Sequence, residues 1–187
     1  VSSVGSLVDV SMATVNARPA IAYRQSTNLY YVRASDANGT AWGAPIRVTN
    51  TTSQGGASPA KLSLAVVSGN PAIGFMAHDE RLKYIRASNA DGSLWASNAV
   101  NVDISTTASG GHPVLAVING APAIVYTRSH VDGARYIRAN DSLGAGWGTS
   151  TNFTTALNVQ GIALAVINGN PAVSFHNNDG NVYYMRA

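Results

Sequence analysis

Four histidines, His78, His112, His130 and His176, stand beside or near carboxylates: Asp79 and Glu80, Asp132, and Asp179. Imidazole and carboxylate side chains can together hold a divalent metal or pass a proton. The spacing supports neither use by itself. The chain has no His-x-His or His-Glu-x-x-His pattern and no cysteine, so compact metal-ligand motifs and thiolate sites are missing. A phosphate loop, a Gly-x-Ser-x-Gly elbow and a cysteine nucleophile are missing too. No catalytic residue, metal or cofactor is therefore assigned. As binding candidates we take His78, Asp79, His112, His130, Asp132, His176, Asn177 and Asp179. The plainer reading makes them polar loop tips, with Asp132-Gly133 and Asp179-Gly180 as hairpin turns.

A second set recurs. Arg33, Arg86, Arg138 and Arg186 each follow a tyrosine by two places (Tyr31, Tyr84, Tyr136, Tyr184), and residues two apart share one face of a strand. A row of guanidiniums could bind a carboxylate. An arginine demanded once per repeat is more economically a structural donor to carbonyls of a neighbouring unit, since one site does not need four copies. Trp42, Trp95 and Trp147 recur in the same way and read as packing between units before they read as ligand platforms.

These residues belong to a repeat. PAIAY at Pro19 returns as PAIGF at Pro71, PAIVY at Pro122 and PAVSF at Pro171, roughly fifty residues apart. Each unit is expected to hold four strands. An apolar run comes first (Val10 to Val15, Leu62 to Val67, Val114 to Ile118, Ile162 to Ile167), followed by a tight turn such as Asn-Gly and then the PAI strand. LYYVRA, LKYIRA, ARYIRA and VYYMRA form the third strand, and a fourth begins at the tryptophan: Ala41 to Val48, Leu94 to Val102, Gly146 to Phe153. Helical periodicity is absent. Four antiparallel strands per unit, in series, predict an all-β fold, a β-propeller of about four blades with the last incomplete. A single domain over 1–187 is expected, with units at about 6–49, 58–103, 111–155 and 159–187. Strand order places the four histidines on one rim, together with the loops between second and third strands.

The segments SDANGTAW and SNADGSLW resemble the Asp-box turn of sialidase-type propellers through Ser35, Gly39 and Trp42, and Ser88, Gly92 and Trp95. Asp36 lies one place early and Asp91 one place late, and Asn140 takes the Ser position in NDSLGAGW. The resemblance implies a hairpin remote from catalysis, within repeats similar to those of bacterial extracellular and lectin-like propellers.

Charged residues are only 11% of the chain and the net charge is +3, with no basic run, which argues against nucleic acid. No apolar run reaches the 18 or so residues of a membrane span. The amino end, which lacks Met and a basic region, reads as processed or truncated. The resulting expectation is a secreted, non-catalytic propeller that binds carbohydrate or a protein. One alternative is an assembly subunit, a homo-oligomer formed through the incomplete fourth blade. A sialidase-like hydrolase ranks last, because among the first strands only Asp9 is acidic.

Overall fold

The computed structural model describes residues 7–50, 61–77, 79, 81–103, 111–127, 133–154, 159 and 161–186. His78, Glu80, His130 and Asp132 lie outside the described residues. Four antiparallel sheets follow one another along the chain. The first holds β1 (Leu7–Val15), β2 (Arg18–Gln25), β3 (Asn28–Arg33) and β4 (Ile46–Asn50). The second holds β5 (Leu62–Val67), β6 (Asn70–Met76), β7 (Leu82–Arg86) and β8 (Val100–Asp103), and the third β9 (Val114–Ile118), β10 (Ala121–Thr127), β11 (Ala134–Arg138) and β12 (Thr151–Asn152). The fourth has three strands, β13 (Ile162–Ile167), β14 (Asn170–His176) and β15 (Val182–Arg186). Among the described residues there is no helix, hence none long and apolar enough to cross a membrane.

Within each sheet the strands pair in chain order, joined by hairpins whose residues suit their dihedral angles. The turns Asn16-Ala17, Ser68-Gly69, Asn119-Gly120 and Asn168-Gly169 all have positive φ at both positions. That is the I′ geometry favoured by right-twisted hairpins, and Asn-Gly meets it at least cost. The outer strands begin later than their tryptophans: Trp42, Trp95 and Trp147 make only isolated bridges to Ala34, Ala87 and Ala139. The expected strands over 41–48, 94–102 and 146–153 are thus largely turn, because each tryptophan is folded back to donate from its indole to Gly39, Gly92 or Gly144 at 2.8–3.0 Å.

The sheets stack face to face as propeller blades. First strands pack in series, β1 on β5, β5 on β9 and β9 on β13, whereas the outer strands splay apart. Between the first two sheets lies one core (Val15, Leu29, Tyr31, Leu64, Ile73, Phe75). Another fills the next gap (Val67, Leu82, Tyr84, Leu115, Ile124, Tyr126), and a smaller one the last (Val125, Val173, Phe175). Along the first strands of the second and third sheets buried and half-buried residues mix and none is exposed, so both faces are covered. Each blade buries a forward set of side chains against the next blade and a backward set against the one before.

A repeated latch ties one blade to the next. Tyr31 donates to the Asp91 carbonyl at 3.1 Å, and Tyr84 to the Leu143 carbonyl at 3.0 Å, each reaching the turn of the following unit. Each ring meets the edge of that unit's tryptophan, Trp95 or Trp147, with centroids 5.3 Å apart. Burial pushes the Tyr31 phenol up to about 12. The arginine row stays within its own units: Arg33 donates to the Val15 and Asn16 carbonyls, Arg86 to Val67 and Ser68, and Arg138 to Ile118 and Asn119. Each guanidinium therefore braces its own first hairpin instead of the neighbouring blade.

Candidate functional site

Two polar clusters stand out on this frame. The first gathers at the inner rim. Asp9, on β1, faces Arg24 across the β1–β2 pair. Its carboxylate accepts from the Leu62 amide at 2.6 Å and lies 3.8 Å from Lys61 Nζ, with the Asp9 side chain 15% exposed. His112, ahead of β9, is close enough to sense both charges. Burial and, secondarily, the Lys61 ammonium lower its pKa, and Asp9 partly opposes them. One carboxylate, two cations and an imidazole of lowered pKa thus share this mouth of the inner rim.

The second is a cleft of about 620 Å³ between the second and third sheets. Its lining mixes apolar residues, Val100, Val102, Ile137 and the Trp147 indole, with the polar Arg135, Ser150 and Asp103. Arg135 Nη1 donates to Ser150 Oγ at 3.0 Å, and Ser150 Oγ donates to Asp103 Oδ2 at 3.1 Å. Asp103 also accepts from the Tyr126 hydroxyl, an acceptor contact that joins burial in raising the Tyr126 pKa. Arg135 Nε is buried with no hydrogen-bond partner among the described residues. An indole and a donor–acceptor pair of near-zero net charge in one lining suit a neutral, hydroxyl-rich ligand.

Among the described residues, the candidates named from sequence have separate partners. His112 joins Asp9 and Lys61 at the mouth, and its amide donates to Thr127 Oγ1 at 3.1 Å, which puts it on the rim where β10 ends. Asp79 is held by Lys83 Nζ at 2.9 Å and accepts from the Arg81 amide. Asn177 and Asp179 serve their own turn: Asn177 Oδ1 accepts from the Asp179 amide, and Asp179 accepts from the Asn181 amide and the Tyr183 hydroxyl. The Tyr183 hydroxyl is the main cause of a lowered Asp179 pKa. His176 is exposed, with its ring against Gly161. Among the described residues no group of three or more His, Asp or Glu could hold a metal ion.

Sequence reasoning missed the cleft. Its signal was present: Arg135 stands at a repeat position held elsewhere by Tyr30, Lys83 and Tyr183, and Asp103 at one held by Thr49 and Thr154. These departures from the repeat sit on strands, β11 and β8, and not in the variable loops.

No protein-family model matches the sequence, and no curated protein matches it. Solved structures do match its shape. NanB with Optactamide superposes with a TM-score of 0.65 at 15% identity, over 94% of this chain and 30% of that one. Zg3597, a family 117 glycoside hydrolase produced by the marine bacterium Zobellia galactanivorans, gives 0.60 at 14% identity over 97% of this chain and 66% of its own. A triple arginine-to-alanine mutant of AofleA from Arthrobotrys oligospora gives 0.66 at 12% identity, over 96% and 53%. The chain thus spans less than two thirds of the length of each. Identities this low establish the propeller fold.

The same set corrects the expectation that the chain is not an enzyme. Glycoside hydrolases, family 43 above all, predominate among these structures. That expectation rested on missing catalytic motifs and on first strands in which only Asp9 is acidic. A single inward carboxylate such as Asp9 is easily discounted when no run of carboxylates marks the strands.

Proposed function

We propose that this chain is a carbohydrate-recognising propeller domain, with a neutral saccharide held in the cleft between its second and third blades. The observation that carries the reading is the presence of Trp147 and the Arg135–Ser150–Asp103 chain in the lining of one cleft of about 620 Å³. A sugar ring offers an apolar face of C–H groups and hydroxyls that both donate and accept. Asp103 accepts, Arg135 donates, and the indole receives the C–H face. The glycoside hydrolases among the solved structures of this shape support the ligand class. In the same reading the four units, at about 6–49, 58–103, 111–155 and 159–187, make one domain working outside the cell. Its hairpins are of the Asp-box kind, with Asp36 and Asp141 each accepting several amides of their own turn.

Saturation-transfer NMR with a panel of neutral pentoses, hexoses and their oligomers tests this. Binding is expected for neutral sugars, with loss of roughly tenfold or more in Arg135→Gln, the scale of one charge-assisted hydrogen bond. Unchanged binding in that variant, or silence across the panel, refutes the reading.

A second reading, hydrolysis of a glycan bound at the inner rim instead of in the cleft, is favoured by the Asp9 carboxylate held between Lys61 and the Leu62 amide. Glycosidic cleavage requires an acid and a base or nucleophile, usually both carboxyl groups. Hydrolysis of a chromogenic aryl glycoside, with release of the free phenol, that disappears in Asp9→Asn supports it, and no release by the unsubstituted chain refutes it.

A further inference from the structure

The blade-to-blade contact is used three times within the chain, and both of its halves are left over at the ends. β13 does not return to pack on β1, so among the described residues the four blades form an open arc. On the last blade's forward face, repeat positions buried elsewhere lie open. Tyr184 is 61% exposed where Tyr31 and Tyr84 are 1% and 2%, and Val182 is 82% exposed where Leu29 and Leu82 are both 1%. Ile167, at the position of the fully buried Val15 and Val67, is also uncovered. The first blade's backward face shows the converse. Met12 is 70% exposed, whereas its counterparts Leu64 and Leu115, pressed against a preceding blade, are 6% and 5%.

The turns repeat the pattern. A Cβ at Gly92 or Gly144 would meet the ring of the preceding unit's tyrosine at 2.5 or 2.6 Å. At Gly39 the nearest atoms are instead those of Pro19 and Trp42, within its own unit. The first blade therefore offers a Gly–Trp–Pro seat without a tyrosine, and the last a tyrosine without a seat. Exposed apolar surface matched to a contact already used within the same chain, twice with its tyrosine seated, identifies its complement.

From this we infer that copies of this chain associate head to tail. The forward face of the last blade, Ile167, Val182 and Tyr184, docks on the backward face of a second copy's first blade, Val10 and Met12, beside its Gly39–Trp42 turn. The contact joins faces, unlike the edge pairing of an incomplete blade. It is heterologous, so two or more copies close a ring when their rotation permits.

Sedimentation analysis of the chain with Met12→Lys and Val182→Lys, each at a position exposed in the single copy, decides the matter, with circular dichroism confirming both folds. The unsubstituted protein is expected at a multiple of 19.3 kDa, and each variant alone at 19.3 kDa. An equimolar mixture retains one intact pair of faces and is expected to recover a species of twice that mass. A species of 19.3 kDa for the unsubstituted chain up to millimolar concentration overturns the inference and leaves the faces to blades of another polypeptide. An oligomer indifferent to both substitutions, or one that mixing does not restore, overturns it equally.

Discussion

Replacing Gly92 by alanine isolates the latch between the first two blades. Gly69 provides the reference, since its φ of +79° nearly equals the +75° of Gly92 but nothing lies within 4 Å of its Cβ position. Alanine there incurs only the left-handed backbone cost, about 1–2 kcal/mol. At Gly92 the methyl group would lie 2.5 Å from Tyr31 Cε1 and 2.9 Å from Pro71 Cγ, so ring or turn must move. Overpacking of this kind adds about 1–3 kcal/mol. For a chain of this length each kcal/mol lowers Tm by roughly 2–4 °C. Gly69→Ala should therefore lose about 5 °C and Gly92→Ala about 10 °C in differential scanning calorimetry. In a Tyr31→Ala background the Gly92 substitution should cost less than in the parent chain, approaching the Gly69 one but for the remaining contact with Pro71 Cγ at 2.9 Å. Equal losses for the two single variants, or a full Gly92 penalty without Tyr31, would refute the claim that the tyrosine seat holds the blades together.

Two further outcomes concern pH. Amides of Thr40 and Ala41 hold the Asp36 carboxyl at about 2, below its usual 3.8. A depressed carboxyl stabilises the fold above 3.8 and loses that contribution as pH falls toward about 2. Acid unfolding followed by circular dichroism should accordingly be shallower in Asp36→Asn across this window, and an identical profile would remove Asp36 as a contributor. His112, whose pKa is lowered by burial and then by Lys61, is held neutral by the fold. Its contribution is present above the ordinary value of 6.5 and fades as pH falls below it, so His112→Gln should flatten the stability profile there. An NMR titration placing the His112 midpoint at or above 6.5 would contradict this.

The fold was legible because repetition multiplies weak signals. One apolar hexapeptide is ambiguous between strand and helix, whereas four followed by Asn-Gly-like turns and a Tyr-x-Arg strand are not. The direction of the arginines was not legible. Whether a guanidinium reaches its own hairpin or the next blade depends on sheet spacing, and Arg86 settles it by reaching back to Val67 and Ser68. The cleft was hidden for a related reason. Arg135 and Asp103 lie on different blades and meet only through Ser150, so no local spacing announces them. Asp9 was visible as the one acidic residue near a first strand, but its company of Lys61 and His112 comes from distant linkers brought together by the inner strands.

The tyrosine latch has a direction, since Tyr31 and Tyr84 each reach forward into the turn of the following unit. Stability in such an array is carried by nearest-neighbour terms, so losing one latch isolates a segment without weakening the rest. Hydrogen exchange should accordingly proceed as a zipper opening from the carboxyl end, where the last sheet shares the smallest core. The middle blades, gripped from both sides, would be the last to exchange.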